Sequence, residues 1–219
     1  MIIFASNIIG KLITKQSIMK TRILLIIFIL SGLFQASAQE QSKKFNFGLK
    51  IAPALSWLST NEKGVSSDGP LFRFNWGAIG AYNFSQNFAL VSGININSLG
   101  GKLKHDATNV SVKSKYSEFQ IPAILQMKSN EIGVLKIHFQ IGLAGGIFMS
   151  AKDGNDENIY SQTRPFNASY IVASGVDFPV KGGFSLIGQI KYNGGLTNIS
   201  KSGSNAKSSF IELGLGVLF

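Results

Sequence analysis

Through residue 57, the segment 44–58 sorts its side chains completely by parity. Odd positions carry Phe45, Phe47, Leu49, Ile51, Pro53, Leu55 and Trp57; even positions carry Lys44, Asn46, Gly48, Lys50, Ala52, Ala54, Ser56 and Leu58, the last at the end of the run. Successive side chains of a strand point to opposite faces, whereas a helix repeats about every 3.6 residues. The segment therefore reads as one β-strand with a bulky apolar face and a small, polar one.

The same two-faced pattern returns seven more times, at 71–84, 88–98, 116–128, 134–150, 166–178, 184–194 and 209–219. In 71–84, for example, Phe72, Phe74, Trp76, Ala78, Tyr82 and Phe84 oppose Arg73, Asn75 and Asn83. In 209–219, Ile211, Leu213, Leu215, Val217 and Phe219 oppose Glu212, Gly214 and Gly216. Each segment reaches the roughly 9–11 residues that a tilted strand needs to cross a bilayer. The connections alternate between long, polar stretches (59–70, 99–115, 151–165, 195–207) and short ones (85–87, 129–133, 179–183). Short periplasmic turns and long outer loops are the habit of outer-membrane barrels. The pattern predicts an all-β, eight-stranded antiparallel up-and-down transmembrane barrel over 44–219, with both termini in the periplasm.

A soluble barrel alternates too, with its apolar face turned inward. Three features favour the membrane. Charged residues are only 15% of the chain, against about 25% in an ordinary globular protein. The polar face is rich in Gly, Ala, Ser and Asn, which suits a cramped lumen, while the apolar face is too bulky to fit inside eight strands. Aromatics are also sorted by height. Phe45, Phe84, Phe88, Phe178, Phe184 and Phe219 fall at the short-turn ends, as a periplasmic-side girdle, and Trp57, Phe72, Phe119, Phe166, Tyr170 and Tyr192 lie toward the long loops. Lipid interfaces impose such rings. Phe219 closes the chain within a strand, a form suited to presentation to barrel-insertion machinery.

Residues 1–38 read as a secretory signal: Lys20 and Arg22 form the basic region, residues 23–34 the apolar core, and Ala36, Ser37 and Ala38 the cleavage site. Met19 is the expected true start. A short periplasmic lead-in then occupies 39–43. Of 21 basic and 11 acidic residues, four basic ones (Lys11, Lys15, Lys20, Arg22) belong to the leader, so the mature part carries 17 minus 11, or +6. That balance suits outer-membrane lipids and lipopolysaccharide, and export argues against nucleic acid as a partner. The absence of cysteine excludes disulfides and thiolate chemistry.

The run YSEFQIPAIL, Tyr116 through Leu125, resembles the aromatic-x-Glu-apolar-x-apolar-Pro strand of the PorT-like outer-membrane β-barrel family. Residues 77–101, with Gly93, Ile94 and Asn95, and the closing Gly214 through Phe219 fit the same family. The resemblance spans 40–219. It implies a barrel, and through some members of that family a link to a protein secretion complex.

Parity turns Lys50, Arg73, Glu118, Lys136, His138, Asp177, Lys191 and Glu212 inward, together with Lys128. Buried charges need partners, so a salt-bridged plug is expected, with Glu118, Asp177 and Glu212 matched to Lys and Arg. Pro53 and Pro122 lack a ladder donor, and a bulge or wide spacing is expected at each. Lys102, Lys104, Lys113 and Lys115 of the second long loop, with Lys201 and Lys207 of the fourth, are candidates for lipid-phosphate binding. The remaining chemistry is sparse. His105 beside Asp106, approached by Asp153 and Asp156, is the one candidate His–carboxylate cluster. No nucleophile elbow or metal-ligand spacing occurs, and no cofactor is expected. The sequence thus points to a non-catalytic structural or accessory barrel, with a narrow pore or small hydrophobic-molecule transporter as the alternative and a loop-borne outer-membrane hydrolase as the second.

Overall fold

The computed structural model describes residues 44–180, 182–201 and 205–219. The leader at 1–38 and the lead-in at 39–43 lie outside the described residues. The strands are β1 (Phe45–Thr60), a three-residue β2 (Val65–Ser67), β3 (Leu71–Asn83), β4 (Phe88–His105), β5 (Val110–Lys128), β6 (Lys136–Asp153), β7 (Phe166–Val180), β8 (Phe184–Gly195) and β9 (Ala206–Leu218). All pairings are antiparallel. The eight long strands follow the chain around a ring, β1 meets β9 where the first and last strands join, and β4 pairs with β5 to complete the circuit. A closed sheet has no edge and leaves no ladder unpaired.

Parity survives folding, and its direction is the one a membrane requires. Leu49, Ile51, Trp76, Leu90, Ile94, Ile141, Leu143, Ile190 and Leu213 stand outward and exposed, with Ile190 61% accessible, whereas Glu212 is 0% accessible. Inside lie Ala52, Ser56, Asn75, Asn95, Asn97, Gln120, Asn167 and Ser169. An eight-stranded ring leaves an interior that side chains just fill, so the small and amide residues pack within and the bulky ones face out. Among the described residues no helix is long and apolar enough to cross a membrane; the strands present the apolar belt. The turn before β8 uses Gly182 (φ 104°) and Gly183 (φ 80°), backbone conformations that a side chain would oppose.

One expectation is corrected, and a second, a bulge or wide spacing at each proline, resolves to wide spacing. Residues 99–115 are not a loop. β4 and β5 stay paired far beyond the apolar belt, from Leu99 opposite Tyr116 to His105 opposite Val110, and the Asn109 N–H donates to the His105 carbonyl at 2.8 Å to close the hairpin. β2 lies along its β4 side, Val65 opposite His105 and Ser67 opposite Leu103. The prolines bring no bulge either. Registry is unchanged from Ile51–Leu215 to Ala54–Glu212 across Pro53, and from Val91–Ile124 to Asn95–Gln120 across Pro122. Each proline leaves a gap in one ladder, where its missing N–H would have donated. At the second gap Ser92 Oγ donates to the Pro122 carbonyl at 2.7 Å. The register shift between β5 and β6 falls instead at Ser117/Glu118.

Candidate functional site

Glu212 of β9 is the hub of the lumen. Its Oε1 accepts from Lys191 Nζ at 2.7 Å and from Lys50 Nζ at 2.9 Å, and its Oε2 accepts from Asn75 Nδ2 at 2.8 Å. Strand pairing sets this up: Lys191 of β8 is the register partner of Glu212, and Ala54, two pleat repeats beyond Lys50, is its partner on β1. Lys191 Nζ also lies 5.4 Å from the Phe210 ring centre, within cation–π range. Asn75 Oδ1 accepts the Ser98 N–H at 2.9 Å, which carries the network across β3 to β4.

Glu118 of β5 was expected to pair with Lys or Arg, and its partners are amides instead. Asn167 Nδ2 donates to Oε1 at 2.6 Å, and Asn97 Nδ2 and Gln120 Nε2 donate to Oε2 at 3.0 and 3.3 Å. Gly146 makes the room, because a Cβ there would collide with the carboxylate. Four donors on Glu212 and Glu118 come from asparagine or glutamine, which can satisfy a buried carboxylate while adding no charge. Lys50 and Lys191 against Glu118 and Glu212 leave the middle of the lumen formally neutral, the condition under which buried ions are tolerated.

The other expected members sit apart from this layer. Arg73 is half-buried and donates through Nη2 to the Leu99 carbonyl at 3.1 Å, so it bonds backbone rather than acid. Lys136 pairs with Glu131 at 3.1 Å on the half-exposed rim near the short turn. His138 Nδ1 lies 2.9 Å from Asp177 Oδ1, off the line of a hydrogen bond. Lys128 Nζ donates to Asn83 Oδ1 at 3.1 Å.

Above the charged layer, toward the long loops, Leu58, Leu99, Phe148, Ile199 and Phe210 form a buried apolar cap with Leu103 and Tyr116 against it. Sequence reading missed this cap. Its signal was there: Phe148 and Phe210 stand on the parity otherwise given to polar residues. Below the cap, a void of only about 30 Å³ borders Lys50, Gln126, Gln140, Gln189 and Lys191. At the short-turn end a vestibule of about 890 Å³ opens among Lys44, Asn83, Lys128, Lys136 and Asp177.

The six candidate lysines do not form one group. Lys102, Lys104, Lys113 and Lys115 lie on the paired extension of β4 and β5, Lys102 directly opposite Lys113. Lys201 and Lys207 belong to the β9 side of the ring, where Lys201 Nζ donates to the Ser161 carbonyl at 3.1 Å and Lys207 lies opposite Ser59. The ring order, which no loop count shows, separates them. Lys152 of β6, opposite Lys115, joins the first group. Asp156 takes Lys115 Nζ at 2.7 Å, and that hydrogen bond and charge hold its carboxyl below its ordinary value. The carboxylates once expected near His105 are engaged elsewhere. Asp106 accepts from Ser66 Oγ at 3.0 Å, and Asp153 accepts the N–H groups of Asn155 and Glu157 at 2.9 and 2.8 Å. Among the described residues there is no group of three or more His, Cys, Asp or Glu able to hold a metal ion.

At the short-turn end Phe45, Phe84, Phe88, Phe178 and Phe219 are exposed and Phe184 half-buried, with Phe45 4.8 Å from Tyr82 and Phe84 6.2 Å from Phe88 between ring centres. Toward the long loops Trp57, Tyr192 and Tyr170 form a second group, 6.2 and 5.6 Å apart in turn.

A closed ring of eight long strands, apolar outside and polar within, with aromatics at both rims, defines an integral outer-membrane β-barrel protein. The chain belongs to the family described as outer membrane protein beta-barrel domain, whose model matches residues 37–201. No curated protein matches it. Solved structures similar to it include Neisserial surface protein A, 16% identical, covering 82% of this chain and 98% of that one at a TM-score of 0.54. OprG from Pseudomonas aeruginosa is 10% identical, covering 80% and 95% at a TM-score of 0.49. Ail of Yersinia pestis is 17% identical, covering 80% and 99% at 0.44. At these identities the likeness is one of fold.

Proposed function

We propose that this protein is a non-catalytic, non-conducting barrel with a structural or accessory role in the outer membrane, its short turns and both termini facing the periplasm after removal of the leader. The observation that carries the proposal is the filled lumen. Lys50, Lys191 and Glu212 close its middle, and the cap around Phe148 and Phe210 closes it toward the long loops. The void on the short-turn side of that ion layer has room for about two waters, too little for a continuous ion path or a hydrophobic cargo. Short turns on the periplasmic side are the general habit of such barrels, which supports the orientation. Planar-bilayer recording tests the closed state: no steady current above the bare membrane is expected at neutral pH, and a steady open current would contradict it.

The finer assignment is to the PorT-like family, and with it attachment to a protein secretion complex. The strand from Tyr116 to Leu125 supports it, because its glutamate is the buried Glu118 and its proline sits at a ladder gap. Affinity isolation from native outer membranes tests this. Co-isolation with secretion components is expected, and isolation alone would remove the link. The hydrolase alternative is weakened by the bond between Ser66 and Asp106, which joins hydroxyl and carboxylate directly with no imidazole between them.

A further inference from the structure

Beyond the apolar belt, three neighbouring strands carry an array of like charge. Lys102 and Lys104 of β4, Lys113 and Lys115 of β5, and Lys152 of β6 share one face. The registers fix this: Lys102 is opposite Lys113, Gly100 opposite Lys115, Lys104 opposite Ser111, and Lys115 opposite Lys152. That face is the outer one. On β4 the lysines continue the parity of Leu90, Ile94 and Ile96, and on β5 that of Leu125, Ile121 and Phe119, all lipid-side residues. Between belt and lysines come the half-buried Ser98 and Ser117 and the buried Gly100, which lies against the Leu71 and Arg73 side chains, so the lysines meet the belt most openly on the β5–β6 side, above Phe119 and Ile147. From Phe119 to Lys115 is four residues, about 13 Å along the strand at about 3.3 Å each, and less in height once the strand tilts.

Like charges directly opposite one another weaken a strand pair. Here there are two such pairs, Lys102 with Lys113 and Lys115 with Lys152. The acid that answers them is Asp156, bonded to Lys115 from an exposed turn. Where β2, β4, β5 and β6 lie side by side beyond the belt, such rungs are steadied by a counter-charge. The anion available at this height, beside lipid-facing side chains, is the headgroup of a lipid.

We propose that the outward lysine array of Lys102, Lys104, Lys113, Lys115 and Lys152 is a binding site for the phosphates of an outer-leaflet glycolipid, lipid A of lipopolysaccharide. Ammonium groups on two rungs hold two phosphate groups of one molecule, while its acyl chains lie along Ile96, Phe119 and Ile147. In the cell this rests on the orientation proposed above, with the long loops outside. Binding in detergent does not, so the two ideas fail separately.

The test is titration of the processed, detergent-folded barrel with bisphosphorylated lipid A, followed by native mass spectrometry. A lysine near a lipid surface contributes about 1 kcal/mol, so Lys102→Gln, Lys113→Gln, Lys115→Gln and Lys152→Gln together are expected to weaken binding by at least about tenfold. The double change Lys102→Gln with Lys113→Gln, which relieves a repulsive rung and therefore folds, is expected to weaken it to a smaller degree. Lys201→Gln with Lys207→Gln, on the far side of the ring, is expected to leave it unchanged, and monophosphoryl lipid A is expected to bind less well. Equal binding by wild type and the fourfold variant overturns the site, as does an equal loss in the far-side pair. Complete displacement of lipid A by equimolar inorganic phosphate overturns the lipid assignment, since it makes the site one for a free anion.

Discussion

Lys191 and Glu212 face each other across the β8–β9 ladder and close an ion pair of 2.7 Å, both fully enclosed by the barrel. Lys50 shares the same carboxylate oxygen at 2.9 Å. One acid thus answers two cations on opposite neighbours, and the strand order β8–β9–β1 is what makes this possible.

Removing that acid strands both ammonium groups. Glu212→Gln is expected to cost about 3–5 kcal/mol, the usual effect of breaking one side of a buried pair. Urea unfolding in lipid vesicles, followed by tryptophan emission, measures it. Replacing all three, Lys50→Met with Lys191→Met and Glu212→Leu, is expected to recover most of the loss. A Glu212→Gln barrel as stable as wild type would remove the network from any structural role.

Gly146 lies against the Glu118 carboxylate. Gly146→Ala therefore pushes the acid off Asn97 and Asn167, and the expected cost is about 1–3 kcal/mol, as for other overpacked interiors. The same unfolding assay reads it. Gly145→Ala is the control, because the added methyl meets only the edge of the Phe166 ring at 3.8 Å.

The parity of the eight long strands was legible because hydrocarbon on one side and a narrow lumen on the other impose a period of two on every residue between them. Where the bilayer stops, that constraint stops. Leu99 through Lys115 has the composition of a loop because lysines replace the apolar face, yet backbone pairing continues without it. Lys152 was overlooked for the same reason. The partners of Glu118 were illegible for another: Asn167 reaches it from 49 residues away, and only the stagger of the closed ring sets which amides stand at its height. The inward aromatics Phe148 and Phe210 were visible as exceptions to parity but were not weighed as a cap.

Asp156 provides a pH-dependent contact outside the membrane. Its carboxyl titrates below the ordinary 3.8, first because Lys115 donates a hydrogen bond to it and then through the Lys115 charge, with Lys152 and Lys113 adding less. A depressed carboxyl stabilises above its unfolded value and loses that contribution as pH falls through its folded value. The Lys115–Asp156 contact is thus expected to be intact at neutral pH and to open in acid below 3.8. Carboxyl carbon shifts from NMR in micelles follow the titration. Lys115→Gln is expected to move the midpoint upward, and an unmoved midpoint would refute the pairing.

Lys102 opposite Lys113 is repulsive in the absence of a bound anion. Lys113→Glu is expected to stabilise the hairpin by about 0.2–1 kcal/mol, the scale of a cross-strand pair. In lipid-free detergent, slower hydrogen exchange at Leu103 and Val112 would report it; unchanged exchange would show that the two ammonium groups do not interact.

The outward apolar face is most directly tested at Trp76, which stands 55% accessible on the belt between Ile51 and Ile96. With Trp57→Phe it is the single tryptophan of the chain. Reconstituted into lipids brominated along their acyl chains, this variant is expected to lose most of its tryptophan emission while iodide in the buffer leaves it unchanged. Quenching by iodide with none by the brominated chains would turn the bulky face inward, and the outer-membrane barrel described here would be contradicted.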